Sequence, residues 1–373
     1  MIDWIALNMT PGVGPAAATK LLENFGSASD VFHARRAQLE SLRIRPESII
    51  SIIARDRHEK AEAELANVKS IGGDVLIIDD GSYPELLREI ADPPITLYVR
   101  GDWQACFEQP CVAVIGSRHS STYGQNASES LSRELAAHGI CVVSGLARGI
   151  DTAAHRGAIA GGGRTIAVLG TGIDQAYPKE NAALVEEIVG SGGAVVSQFP
   201  LGTPPLKDNF PYRNRIISGL SLGVLIVEAT ERSGSLITAR LAAEQNREVM
   251  AVPGNITSRN SIGSNYLIKS GAKLVQQWQD VVAELPAEIV AEILPPKIEA
   301  PKRSPSSKVN VPAGMTASEA KVWKILPADE PVHIDDLLHI SGLSFGDLNS
   351  ALVALDLRDV IRVLPGKFYA RRL

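Results

Sequence analysis

The sequence predicts an α/β protein whose centre is a doubly wound parallel sheet, flanked on each side by a small helical module. Three observations lead there. Short apolar runs recur between residues 111 and 252, among them CVAVI, CVVS and LGVLIV. They lack polar alternation, which is the pattern of strands covered on both faces. Amphipathic stretches of helical length separate them, and strand–helix–strand alternation closes by right-handed crossovers into a parallel sheet. Outside residues 67–285 the alternation stops. Residues 1–66 are helical in pattern, 286–312 are rich in proline and charge and read as a linker, and 313–373 carry an apolar pattern of their own.

The bulk numbers narrow the function. A chain of 373 residues has room for two or three domains, and 45% hydrophobic with 21% charged residues is ordinary for a soluble globular protein. With a net charge of −5, a polyanionic ligand would have to be met by a local basic patch. Cys106, Cys111 and Cys141 have no metal-ligand spacing, Cys111 and Cys141 in or beside apolar runs read as small core residues, and neither a metal nor a cofactor is expected. The start, MIDWIALNMTPG, lacks the basic segment and long apolar core of a signal peptide. No apolar run reaches membrane-spanning length, so a cytoplasmic location without a membrane partner is expected.

Taken in order, residues 5–26 read as an apolar helix, a PGVG hairpin and a helix beginning PAAATKLL, the pattern of a helix-hairpin-helix. In that motif the hairpin and the next helix's N-terminus offer N–H groups to a DNA phosphate. Gly12, Val13 and Gly14 would make the contact and Lys20 would support it. A plain helical hairpin, or a protein-interaction module, fits the same residues. A degenerate second copy at 42–53 lacks the hairpin glycines and is expected only to pack.

In the core, strands are expected at 111–115, 140–144, 165–169, 194–197, 222–227 and 248–252, with helices between them such as 127–137, 153–160 and 181–189. A strand at 75–78 and a YPELL segment are expected to form a small lobe continuous with the sheet. The last module reads as helices at 318–326, 333–340 and 344–357, the first capped by Thr316 or Ser318. Strands at 360–363 and 367–370 then flank Leu364-Pro365-Gly366, the order of a winged helix. Asp329, Glu330, Asp335 and Asp336 precede and head its second helix, and Asp347 starts the third. A recognition helix poor in cations favours protein interaction at least as much as duplex DNA, while Arg371 and Arg372 keep the latter open.

Ligands of such sheets bind outside the carboxyl ends of the strands. The loops there are rich in glycine, small hydroxyls and cations: Gly116-Ser117-Arg118, then Ser144–Asp151 with Arg148, then Gly170-Thr171-Gly172 followed by Tyr177-Pro178-Lys179. A long loop carries Lys207 and Phe210 ahead of Tyr212, Arg213 and Arg215; Arg232-Ser233-Gly234-Ser235 and Pro253-Gly254-Asn255 follow the last two strands. Ser233-Gly234-Ser235 opens a helix, whose free N–H groups and positive dipole end form an anion site. Cations beside an aromatic imply a ligand with several phosphates and a base to stack. Bland readings stand beside these. Gly170 and Gly254 fit tight turns equally well, Arg148 and Asp151 are placed to pair with each other, and Glu228 is expected to accept from loop amides or an arginine. There is no GxxxxGK[ST] loop, the first loop is not GxGxxG, and His155 has no Ser or Cys partner at motif spacing, so it is expected to be a packing residue.

GSR at 116–118, SGLARGID at 144–151, YPKEN at 177–181, FPYRNRIISGLS at 210–221 and SGSLITA at 233–239 resemble the DNA-processing protein A family (DprA, also called Smf) over roughly residues 75–285. The resemblance implies a Rossmann-like core and a binding protein rather than an enzyme. Such a protein holds single-stranded DNA, protects incoming strands in natural transformation, helps load the RecA recombinase and forms homodimers through the Rossmann-like domain. It also implies that Arg118 is a phosphate-binding arginine, Lys207 its lysine partner and Phe210 the base-stacking ring. Two alternatives remain open. One is a Rossmann-like, phosphoribohydrolase-like nucleotide hydrolase using Glu228 and Arg232; the other is an adaptor that recruits proteins through its flanking modules.

Overall fold

A computed structural model describes residues 1–294, 315–326, 332–358, 360–364 and 367–371. The central apolar runs form strands because they are covered on both sides. Gly73–Ile77 (β1), Thr96–Gly101 (β2), Cys111–Ile115 (β3), Cys141–Ser144 (β4), Thr165–Val168 (β5), Ala194–Ser197 (β6), Gly223–Ile226 (β7), Glu248–Ala251 (β8) and Lys273–Leu274 (β9) make one nine-stranded sheet in the order β1-β2-β6-β5-β4-β3-β7-β8-β9. From β6 to β9 every pairing is parallel. The sheet is nevertheless not parallel throughout. β2 runs antiparallel to both β1 and β6, because a short connection returns the chain beside β1 before the first crossover begins. The lobe before residue 111 is therefore continuous with the sheet, through β1 and through the unanticipated β2. The order reverses between β3 and β7, which opens a crevice at their carboxyl ends.

Helices cover both faces: Glu85–Arg88 (α7), Trp103–Glu108 (α8), Thr122–Ala137 (α9), Ile150–Ala160 (α10), Ala182–Gly190 (α11), Asn209–Gly219 (α12), Gly234–Glu244 (α13), Ile262–Lys269 (α14), Trp278–Val282 (α15) and Ala287–Ile293 (α16). α9 and α10 pack almost backbone to backbone. A Cβ at Gly157 would lie 2.3 Å from the Glu129 carbonyl oxygen, and one at Gly161 2.3 Å from that of Arg133. α16 falls within the expected linker; its Ile289, Val290 and Ile293 pack with Trp278 and Leu285, and residues 295–312 lie outside the described residues.

The N-terminal helices are Ile2–Asn8 (α1), Pro15–Phe25 (α2), Ala28–His33 (α3), Arg36–Ser41 (α4), Pro46–Ala54 (α5) and His58–Ser70 (α6). Four consecutive residues of α1, Trp4, Ile5, Ala6 and Leu7, are buried, so this helix is covered on most of its circumference. Ile5, Leu7, Leu21, Ile52 and Val68 share one apolar cluster with Tyr98 and Val195 of the sheet and with Leu169 just after β5. Residues 1–294 accordingly fall within one compact unit, Met1–Pro296, and the other described residues within a second, Lys297–Leu373.

In the second unit Ala317–Ile325 (α17), Ile334–Ser341 (α18), Phe345–Leu357 (α19) and the strands Ile361–Leu364 (β11) and Phe368–Arg371 (β12) follow the winged-helix order. Val332–His333 (β10) adds a third strand beside β12. Thr316 caps α17 in a reciprocal box with Glu319. Asp335, Asp336 and Asp347 occupy first helical turns, where negative charge complements the helix dipole. Asp329, Glu330 and Arg372 lie outside the described residues.

Candidate nucleic-acid interface

At the reversal of strand order the loops after β3, β4, β5, β6 and β7 enclose a cleft of about 570 Å³. Its back wall is the Gly116-Ser117-Arg118 loop, clamped from two sides. Ser117 N–H donates to the Glu228 carbonyl at 2.8 Å, and the Ser117 carbonyl accepts from Ile150 N–H at 3.3 Å. Gly149 makes the second contact feasible: its φ is +75°, and a Cβ there would lie 2.4 Å from the Ser117 oxygen. Arg118 is thus presented from a fixed backbone with its side chain exposed.

The aromatic element is Phe210 in the first turn of α12. Its ring lies 5.5 Å from the Arg118 guanidinium and 5.2 Å from the Tyr177 ring. A Cβ at Gly170 would come within 2.9 Å of the same ring, so this glycine seats Phe210 rather than a ligand. Gly254 faces Ser261 and does not line the cleft. Lys207 stands exposed on the rim, and Ser233, Gly234 and Ser235 bring the N-terminus of α13 to the opposite wall. The Ser233 hydroxyl caps that helix and lies 2.7 Å from the Ser235 hydroxyl.

Arg213 forms part of the lining although only 3% exposed. Its Nη1 donates to the Gly145 carbonyl at 3.0 Å, and its Nε has no hydrogen-bond partner among the described residues. Asp151 beside it accepts from Gly145 and Ala147 N–H at 3.2 and 3.3 Å. Burial dominates both groups: it pulls the Arg213 pKa down to about 10 against the pull of Asp151, and it raises that of Asp151 against the pull of Arg213 and the loop amides. Arg118 thus lies over the Phe210 ring, Lys207 and Arg213 line the same cleft, and Asp151 is buried at its base.

Other expected positions lie elsewhere. Arg215, two residues past Arg213, points to the far side of α12. It donates to Gln198 Oε1 at 2.6 Å, pairs with Asp92 at 3.3 Å and stacks on Tyr212 at 4.6 Å, which makes it a structural residue. Arg148 forms a two-pronged pair with Glu180 at 2.5 and 2.8 Å instead of pairing with Asp151; it and exposed Lys179 are outside the cleft lining. Glu228 is an acceptor, as expected: its carboxylate takes the Ser121 N–H at 2.9 Å and the Ser121 hydroxyl at 2.5 Å, and neither it nor Arg232 lines the cleft. His155 is fully buried against the Thr165 hydroxyl at 2.7 Å, and burial pushes its pKa down to about 3. Among the described residues no group of three or more His, Cys, Asp and Glu side chains is placed to hold a metal.

The N-terminal hairpin stands apart from the cleft. Gly12 turns at φ +75° against Ser48, whose hydroxyl donates to the Pro11 carbonyl at 2.7 Å. Val13 is turned into the core and its N–H closes the turn on Thr10, so it is not an outward phosphate donor. Gly14 heads α2, where a Cβ would lie 3.6 Å from the Tyr212 hydroxyl, and Lys20 is exposed. The 42–53 copy packs through α5, as expected.

Tyr177, His119, Asn214 and Ile217 also line the cleft. Asn214 and Ile217 follow Phe210 at i+4 and i+7, so helical phase would have found them and excluded Arg215. Tyr177 was named in the loop after β5 and in YPKEN, but without a role in the site.

Residues 74–286 match the family described as DNA recombination-mediator protein A, and residues 300–367 match the DprA winged helix domain. Protein Smf of Synechocystis sp. is 33% identical over 391 residues, spanning 99% of this chain and 98% of its own. DNA processing protein DprA of Streptococcus pneumoniae is 48% identical over 208 residues, spanning 56% of this chain and 72% of its own. The crystal structure of the Streptococcus pneumoniae protein superposes with a TM-score of 0.69 at 37% identity, covering 77% of this chain and 98% of that one. The structure of DNA processing protein A from Helicobacter pylori superposes with a TM-score of 0.50 at 31% identity, covering 56% and 93%. No helix among the described residues is long and apolar enough to cross a membrane. By sequence over most of its length, and by a core that carries every motif of the resemblance, this chain belongs to the DNA recombination-mediator protein A family.

Proposed function

We propose that the cleft binds single-stranded DNA, and that the protein protects incoming strands and hands them to the RecA recombinase during natural transformation, as a cytoplasmic homodimer formed through the Rossmann-like domain. The observation that carries the reading is one cleft that holds the Phe210 ring under the Arg118 guanidinium and is lined by Lys207, Arg213 and the N-terminus of α13. The Helicobacter pylori relative supports it, since its structure describes a single-stranded DNA binding mode. Stacking accepts any base and the cations meet phosphates, so neither reads sequence, which suits a protein that must accept any strand. Binding without bond cleavage is favoured because both Glu228 oxygens are engaged by Ser121 away from the cleft. Three free, buried cysteines suit a reducing compartment.

The test is fluorescence anisotropy of labelled poly-dT and a matched duplex over a salt series. Preference for the single strand with a steep salt dependence is expected. Equal or weaker binding of poly-dT, together with base release from nucleoside monophosphates, would overturn the proposal in favour of a nucleotide hydrolase.

A further inference from the structure

We propose that the N-terminal helices position the loop presenting Lys207 and Phe210, and that Glu64 is the positioning residue. The segment from Gln198 to Asp208, between β6 and α12, has little core of its own, since residues 204–208 are exposed. Its backbone is held from two sides. From the sheet side, Gly202 N–H donates to both Asp174 carboxylate oxygens at 3.0 Å, and Asn209 Nδ2 donates to the Gly170 carbonyl at 3.1 Å. From the N-terminal side, Leu201 N–H donates to Glu64 Oε1 at 2.6 Å, and Asn8 Nδ2 donates to the Gln198 carbonyl at 3.3 Å. Leu201 also packs on the N-terminal apolar cluster.

Glu64 is out of place as a packing residue. Ala61, Glu64 and Val68 form the buried stripe of α6, so Glu64 occupies a position that helical periodicity assigns to an apolar side chain. It is 7% exposed, and among the described residues no Lys, Arg or His forms an ion pair with it. Asp174 is a like charge nearby. A buried, unpaired carboxylate is costly to keep, and here it serves one backbone N–H, 137 residues away in sequence. That N–H lies nine residues before Phe210. Releasing it lets the loop spread over more conformations, so more order must be lost when a strand binds.

The proposal rests on the single-strand reading of the cleft, and the experiment separates the two. In the full chain, Glu64→Ala and Glu64→Gln are compared by hydrogen–deuterium exchange of residues 198–206 and by poly-dT anisotropy over a salt series. Glu64→Ala should speed exchange in that segment while leaving the β-strands protected, and should weaken poly-dT binding roughly threefold to tenfold with the salt slope unchanged. Glu64→Gln, which keeps an acceptor, should restore both. If Glu64→Ala fails to fold, Asn8→Ala removes the other N-terminal hold and should show the same paired effect at smaller size. Unchanged exchange would overturn the hold, and faster exchange with unchanged affinity would overturn the positioning role. If wild type ignores poly-dT, the cleft reading fails while the exchange data still decide whether Glu64 holds the loop.

Discussion

The cleft and the outward face of α19 are both places where a fold of this kind meets nucleic acid, yet they are built differently. The cleft is lined by Arg118 and Lys207 from two loops and by Arg213 from α12, with Arg118 over the Phe210 ring. The recognition helix of the winged helix presents Phe345, Asn349, Ser350, Val353, Asp356 and Leu357 to solvent without a cation among them. A fold supplies positions, and the side chains at those positions decide what can bind. Under the proposed function strand binding falls to the cleft, while the cation-poor helix favours a protein partner at least as much as duplex DNA.

The largest way to break this comparison is at the base of the cleft. Arg213→Ala leaves Asp151 buried without its compensating charge and should cost about 3–5 kcal/mol of stability at neutral pH, read by denaturant unfolding. The sign of its pH dependence follows from Asp151. Burial holds the folded pKa of this group above its unfolded value, so its stabilising contribution is complete at low pH and lost as pH rises through the folded value. In the wild type Arg213 offsets that loss. The deficit of Arg213→Ala should therefore shrink under mildly acidic conditions, and a deficit that grows there would contradict the pairing.

Next comes the ring. Phe210→Ala should weaken poly-dT binding by roughly 1–3 kcal/mol irrespective of base composition. Arg118→Ala should lower affinity and reduce the salt slope by about one, as expected for a lost phosphate contact. An unchanged slope would move phosphate recognition elsewhere. Gly170→Ala sharpens the picture at smaller scale, because the added methyl meets the Phe210 ring at 2.9 Å. It should shift the platform and cost about 1 kcal/mol of binding with little change in melting. The smallest effect is expected from the double change Val353→Ser and Leu357→Ser on the winged helix. Stability should move by no more than about 0.5 kcal/mol and poly-dT affinity should not change. A clear loss of affinity would mean that both regions bind the strand.

Much of this was legible in the sequence. Short runs rich in β-branched residues such as CVAVI and LGVLIV read as central strands, so the parallel core, its helices and the winged-helix order followed from local pattern and period. The residue types of the cleft were equally local: GSR, the lysine and phenylalanine three apart, and the SGS helix start. Tertiary structure decided which cations reach the cleft. Arg213 and Arg215 look alike in sequence, but two residues turn an α-helix through about 200°, so one faces the cleft and the other Asp92. It also decided the partner of Arg148, supplied by Glu180 from 32 residues away, the antiparallel entry of β2, and the shared core that joins α1–α6 to the sheet. The physical reason is the range of the forces involved. Backbone conformation is set by neighbours three or four residues apart, which a sequence displays. Pairing of charges and closure of a cleft depend on groups far apart along the chain, which only packing brings together.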